Sequence, residues 1–574
     1  MALANSIDEL EHQSDRLWDV VVIGSGYGAG VCAARLAEAG ASVCVLERGR
    51  EFSVSAGAPF PSTLSELGSN VQIDGAPFRR EHRLGLFNFH VASDLDVLVG
   101  CGLGGTSLIN ANVSIKPSGR VFGAPAWPNA IREDAAEGRL DRYYDRARRV
   151  LDPAPYPKTW QTPRKLAVME AHGGSRCDVN VHFGPERENS IGVPQRPCNN
   201  CGDCVTGCNF EAKKTLCFTY LPLAKAFGAK IFTQCDVDHI EKREGFYVVY
   251  YQRLTTGKEP VDASRKVMAR AVVVGAGVMG STALLLRSRE LGLPVSSALG
   301  GRVSGNGDAI AFAYDCDSVL DSVGRGAAVD RDHPIGATVL GIIDQRGGTA
   351  RLEDDIVVEE GAFPSAMAAL LRIVVGGIAA YSGTETEHGF RHWFRERLAE
   401  ERDLFGDPEG GALNRTLMFL MVGHDGADGL IELDRHRQAT IKWDLLKRRK
   451  VFTVENQLAR TMSMKLGGMF VKDPLNTPMF LNNLISVHPL GGCPMGDDGA
   501  AGVVDGAGRV FSDDGKVHRG LYVADGSIIP TSLGVNPLWT ISALAERIAE
   551  NIARDLGFEP RAAVRLPVGV HIHP

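Results

Sequence analysis

Seven residues, Gly24-Ser25-Gly26-Tyr27-Gly28-Ala29-Gly30, restrict this chain to few folds. They follow an apolar run, Trp18 to Ile23, of the length and composition of a buried parallel strand. Behind them residues 28–39 carry small and helix-favouring side chains, and Ala41 to Glu47 reads as a second buried strand. The pattern predicts a β-α-β unit over 18–47. Gly24 permits the tight turn. Gly26 lets a pyrophosphate reach the backbone, where free N–H groups and the helix dipole meet its charge. Tyr27 and Gly28 continue that loop, and Ala29 is small enough for close helix–strand packing. Glu47 ends the second strand, where a carboxylate accepts hydrogen bonds from ribose hydroxyls and disfavours a phosphorylated ribose. A dinucleotide site is the expectation.

The strand-then-glycine pattern returns twice. Val267 to Val274, apolar except for Arg270, ends at Gly275-Ala276-Gly277 and leads into a helical stretch, Ser281 to Glu290. Gly520 to Val523 leads into Asp525-Gly526 and then a helix from about Leu538 to Leu556. The fold class is therefore α/β: a Rossmann-like domain built from discontinuous segments, expected at 1–115, 220–300 and 481–574. A second domain, expected at 116–219 and 301–480, would cover it. A chain of 574 residues is long enough for both.

Composition excludes more than it asserts. The formal net charge is −7 and no basic run stands out, so no nucleic-acid partner is expected. The polar, mixed-charge start, Met1 to Leu17, lacks the pattern of a secretory signal, and a cytoplasmic location is expected. No stretch reaches the ~18–20 uninterrupted apolar residues of a spanning helix. The nearest, Ala362 to Tyr381, is broken by Arg372 and reads as a buried or amphipathic helix. The other reading is a peripheral surface that touches a membrane or an oily substrate.

A second glycine cluster, Gly100-Cys101-Gly102-Leu103-Gly104-Gly105-Thr106-Ser107-Leu108-Ile109-Asn110, is too glycine-dense for a helix or an ordinary strand. It suits backbone lying flat against a flavin and its diphosphate, with Thr106, Ser107 and Asn110 as donors. Ala111 and Val113 continue the same lining. FAD is the cofactor that both glycine loops serve.

These two loops, with His488-Pro489-Leu490-Gly491-Gly492, Leu521 to Pro530 and Gly534-Val535-Asn536-Pro537, resemble the glucose–methanol–choline (GMC) oxidoreductase family, in its cholesterol oxidase-like branch. The resemblance covers the cofactor-binding regions well and the rest thinly. It implies non-covalent FAD, a split FAD domain and a cap with a mainly antiparallel sheet. It makes His488 and Asn536 the active-site pair facing the flavin. It sets Val237 at the adenine and Asp525 and Gly526 near the ribityl chain, with Pro537 and Leu538 beside them. It also offers Glu359 as a base that shifts a steroid double bond. If residue 359 lies on a strand, Glu360 points the other way.

The implied activity is oxidation of a hydrophobic alcohol, a sterol among the candidates. Flavin N5 takes the hydride, and the protein orients the hydroxyl and handles its proton. Histidine titrates near neutral pH and suits that proton, while an asparagine amide holds the hydroxyl. Apolar cap residues from Ala366 to Ala380 favour an oily pocket. The competing readings are a flavin electron-transfer protein and a non-catalytic flavin-binding subunit.

Four of the twelve cysteines, Cys198, Cys201, Cys204 and Cys208, have the spacing of a bacterial-ferredoxin iron–sulfur run. Asn209 stands where ferredoxins place proline. Four thiolates also suit tetrahedral zinc, and a metal-free thiol loop is the third reading. An iron–sulfur cluster near the flavin would let electrons leave singly to a redox carrier, so carrier and oxygen both stand as acceptors.

Overall fold

In the computed structural model the described residues are 2–574, except 14, 56, 76–81, 256–263, 329–331, 349–350, 383–410, 445, 447–448, 474–482 and 573. The chain builds an α/β fold of the Rossmann type and a second unit around an antiparallel sheet.

Leu17–Ile23 pairs in parallel with Val43–Leu46 on one side and Arg265–Val274 on the other. Lys230–Phe232 extends the first edge, and Val517–Val523 joins the far edge beside Val272 to Val274. Five parallel strands thus come from three distant parts of the chain, as the recurring strand-and-glycine pattern requires. An antiparallel hairpin, Cys235–Arg243 with Phe246–Arg253, continues the sheet along the first half of 265–274. The central strands are apolar on both faces because both are covered: Val20, Val21 and Val22 are fully buried. The glycine-loop helix, Tyr27–Glu38, packs against Leu538–Asp555 and Tyr220–Ala226. The second helix of the pattern begins earlier than its side chains suggested, at Gly277.

The other large sheet has six antiparallel strands, in the order Met469–Lys472, Ala309–Tyr314, Leu417–Val422, Val357–Gly361, Gly341–Asp344, Ser175–Arg176. Its two faces differ. Ala311, Ala313, Val358, Phe419 and Met421 share a core with helix Lys450–Lys465. Phe312 and Tyr314 pack on helix Ala368–Ser382 through Val375 and Ile378. That helix is the stretch broken by Arg372. It buries one side and exposes Leu370 and Ile373 on the other. No helix among the described residues is long and apolar enough to cross a membrane.

Candidate active site

A cleft with about 1690 Å³ of empty space, part of it open to solvent, runs along the C-terminal ends of the parallel strands. The first glycine loop forms its floor. Gly24 has φ +93°, a left-handed turn that a side chain would strain. A Cβ on Gly28 would fall inside the Ala524 carbonyl, so this glycine lets the helix close on the third strand–loop segment. A Cβ on Gly26 would meet no protein atom; it would project into open space in the cleft wall. Glu47 lies at this end, buried, with its two oxygens accepting from Ser25 Oγ (2.6 Å) and Gly49 N (2.7 Å). Burial raises its pKa against those hydrogen bonds. Val237 lines the same end.

Gly105, Thr106, Asn110, Ala111 and Val113 line the middle. Thr106 Oγ1 accepts from Gly100 N (3.1 Å), and the Asn110 amide donates to the Tyr27 hydroxyl (2.9 Å). The Asn110 side-chain oxygen is buried without a partner. Asp525 and Gly526 border the cleft too, but the Asp525 carboxylate is taken up in tying loops together. It accepts from Gly277 N, Ser281 Oγ, Ser527 N and Ser527 Oγ.

His488, Asn536, Pro537 and Leu538 close the far end. His488 Nδ1 lies 2.9 Å from Asp308 Oδ1, and its Nε2 lies 3.4 Å from the Asn536 amide nitrogen. Nδ1 therefore carries the proton toward Asp308, and Nε2 presents a lone pair. Burial by itself would depress the His488 pKa. Asp308, with Glu359 adding to it, outweighs burial and lifts it above the ordinary value. Glu359 stands behind the cleft lining. It is fully buried, with neither carboxyl oxygen hydrogen-bonded in good geometry. Burial pushes its pKa up to about 7, against the pull of His488 and the Asn536 amide. Directly across the strands from Glu359 are Leu420 and then Ile310, both half-buried.

Three expected lining residues lie elsewhere. Ser107 is fully buried, with its hydroxyl donating to Gly104 O and accepting from Leu216 N, so it braces the loop and offers nothing to the cleft. Gly102 packs against Gly49 and Leu108 behind the loop. Ala29 meets Gly275, the helix–strand packing expected of a small residue there.

Two family models, both described as GMC oxidoreductase, match residues 36–300 and 472–545. The chain belongs to the GMC oxidoreductase family. It is 29% identical to a cholesterol oxidase of Mycobacterium tuberculosis (strain ATCC 25618 / H37Rv) over 93% of this chain and 90% of that protein. It is 28% identical to a cholesterol oxidase of Acinetobacter baumannii, over 95% and 96% respectively. Among solved structures, pyridoxine 4-oxidase from Mesorbium loti superposes with a TM-score of 0.59 at 16% identity, covering 93% of this chain and 99% of that one. That likeness speaks for the fold.

In this GMC oxidoreductase the described residues hold no metal-binding group at the cysteine run, so the expected iron–sulfur or zinc site is not supported. Among the described residues, no three His, Cys, Asp or Glu side chains stand in a metal-holding arrangement, and Cys198, Cys201, Cys204 and Cys208 are free thiols. The loop that carries them is held by hydrogen bonds to its backbone and to Cys198. Cys198 Sγ accepts from Asn200 N, Arg325 N donates to Cys201 O, and Thr338 Oγ1 donates to Gly202 O. Asp203 holds Ser365 N and Oγ at 2.7 Å each. Burial raises the pKa of Cys198, Cys201 and Cys204. The loop is a joint: it ties to 324–325, 336–338 and 365 on one side. On the other, Lys213 Nζ donates to Cys204 O, Leu108 O and Asn110 O.

The sequence reading missed Asp308 and Asn112. Asn112 lines the cleft at φ +67° with both amide atoms buried and unpartnered. Asp308 follows Asn306 (φ +59°) and Gly307 (φ +64°), a polar turn heading an apolar strand. That turn was the available signal.

Proposed function

We propose that this GMC oxidoreductase oxidises the hydroxyl of a large hydrophobic alcohol, of sterol class, to the carbonyl, with FAD in the cleft and oxygen as final acceptor. The observation that carries this reading is the pairing of His488 Nε2 and the Asn536 amide at the end of the cleft, with the buried, unpartnered Glu359 carboxyl behind them. FAD fits the residues present. Open space lies at the Gly26 Cβ position, and Asn110, Asn112 and Asn536 carry buried amide atoms without protein partners. When bound there, FAD supplies a two-electron acceptor for the hydride from the carbinol carbon.

The remaining work belongs to side chains. Asn536 Nδ2 donates to the substrate oxygen and fixes the carbinol carbon. His488 Nε2 accepts the hydroxyl proton. Half-buried Ile310, Met418 and Leu420, on the sheet face that carries Glu359, supply apolar contact for the alcohol. Glu359, poised near neutrality, is suited to move a proton on carbon beside the new carbonyl, which would shift a neighbouring double bond. That the similar proteins are named cholesterol oxidases supports both the substrate class and oxygen over a carrier. The division into 1–115, 220–300 and 481–574 for FAD, and 116–219 and 301–480 for substrate, goes with this reading.

Anaerobic mixing of the purified flavoprotein with cholesterol, long-chain primary alcohols and short alcohols tests it. Sterol should bleach the flavin fastest. His488→Ala and Asn536→Ala should keep FAD and slow bleaching, roughly a hundredfold or more for His488. A flavin that no alcohol bleaches overturns the proposal.

A further inference from the structure

We infer that Asp308 is the positioning residue of this site: it fixes His488 with its proton on Nδ1 and balances the imidazolium formed when Nε2 takes the substrate proton. The inference rests on the proposed alcohol oxidation. Asp308 is almost fully buried, and its oxygens meet four donors. Oδ1 accepts from His488 Nδ1 (2.9 Å). Oδ2 accepts from Ser486 Oγ (3.0 Å), Val487 N (2.8 Å) and His488 N (3.0 Å). Four donors converging on one carboxyl are the surroundings of a carboxylate, and such charge-assisted bonds are the strong ones. The contact holds both ends of the histidine: its backbone through Oδ2 and its ring through Oδ1.

The turn that carries Asp308 also reaches the second half of the pair. Asn306 Oδ1 accepts from Leu533 N (2.8 Å) and Gly534 N (3.1 Å), and its amide donates to Val535 O (2.8 Å). Those residues lead directly into Asn536. Asp425 in turn holds the turn itself, accepting from Gly307 N (3.0 Å) and Ser304 Oγ (2.8 Å). One three-residue turn thus sets His488 by a charge and Asn536 by neutral hydrogen bonds, and the two effects can be told apart.

The charged and titratable groups around the pair are few. Glu359 faces His488 from the cap sheet. Asp308 has Glu455 behind it, from helix Lys450–Lys465. Glu455 is fully buried with both oxygens unpartnered, and burial, with Asp308 and Asp425 adding to it, raises its pKa well above the usual carboxylate range. None of these neighbours is a cation, so the negative charge of Asp308 is spent on the His488 ring.

The sign of the pH effect follows. Removing the Asp308 charge lets burial dominate, so the His488 pKa falls. A base works when its lone pair is free, so the acid limb of flavin reduction moves to lower pH in Asp308→Asn, by about one unit or more. The plateau rate also falls, by about a hundredfold, because the imidazolium loses its counter-charge and the wrong nitrogen can carry the proton. Stopped-flow reduction against pH, run in a Glu359→Gln background to remove the second group titrating in that range, reads both. Asn306→Gly, which removes the amide that holds 533–535 and tolerates the turn's positive φ, should slow reduction without moving the limb. In a His488→Ala background, Asp308→Asn should add little further loss. An unmoved limb, or losses that simply add, overturns the inference. Should Asp308→Asn fail to fold, ¹⁵N-histidine NMR of the unaltered holoprotein decides instead: the inference requires a protonated Nδ1 and a bare Nε2, and the reverse sinks it. A flavin that no alcohol reduces would remove the proposed function, and the NMR result would still judge the Asp308–His488 pairing.

Discussion

Glu359 and Glu360 are consecutive residues of one strand, and their fully buried carboxyls end on opposite faces of the six-stranded sheet. Glu359 faces His488 and Asn536 without a hydrogen-bond partner. Glu360 accepts from Lys165 Nζ (2.6 Å), Leu340 N (2.9 Å) and Gly341 N (3.0 Å). The same residue type at the same burial is thus left poised on one face and satisfied on the other.

Glu359 should make stability depend on pH. Its folded pKa of about 7 lies above the ordinary carboxylate value, so its contribution is full below about 4.5 and is lost as pH rises through 7. Glu359→Gln should therefore flatten the fall in Tm between about pH 4.5 and pH 7, the total difference being on the order of 3 kcal/mol. Thermal unfolding of both proteins from pH 5 to pH 9 measures it. Parallel curves would mean that the carboxyl finds a partner.

Lys165→Met should do the opposite. Lys165 is fully buried, and its loss leaves Glu360 without its cation and the Ala337 and Thr338 carbonyls without their donor. Breaking a buried pair from one side costs about 3–5 kcal/mol. Denaturant unfolding at pH 7 should register that loss.

Gly26 and Gly28 should separate cofactor binding from folding. Gly26→Val puts its side chain into open cleft space, so the protein should keep its helical circular dichroism and purify colourless. Gly28→Val collides with the Ala524 backbone, so soluble yield itself should drop. Full yellow colour in Gly26→Val would displace the assigned phosphate loop.

Lys213 ties the flavin loop to the cysteine loop, with three carbonyls on one ammonium group. Burial lowers its pKa to about 8. Lys213→Met leaves those buried acceptors without their donor, a cost of roughly 3 kcal/mol or more. Weaker FAD retention on dilution, beside a lower unfolding midpoint, is the expected pair of results.

Cys201→Ser should leave flavin colour, alcohol-driven bleaching and reoxidation by oxygen within about twofold of the unaltered protein, since a serine keeps the backbone bonds that hold the loop. Protein purified without oxygen should contain neither iron nor zinc in stoichiometric amount. Metal analysis checks the second expectation and stopped-flow reoxidation the first.

Local pattern was enough for much of this. The glycine loop, its flanking strands and Glu47 lie within thirty residues of one another, and turn chemistry and period-two burial are local properties that a sequence displays directly. The three occurrences of strand and glycine announced one sheet from three segments. His488, Asn536 and Glu359 were reached by resemblance, and their convergence was not visible in the chain. Only tertiary closure decided which way each loop side chain faces. It turned Ser107 into the loop, held the cysteine loop by backbone hydrogen bonds, and laid Asp308 beside a histidine 180 residues away. Spacing states which groups can meet. Which groups do meet depends on where long-range packing puts the backbone donors, and a buried carboxylate such as Asp308 is set by those donors.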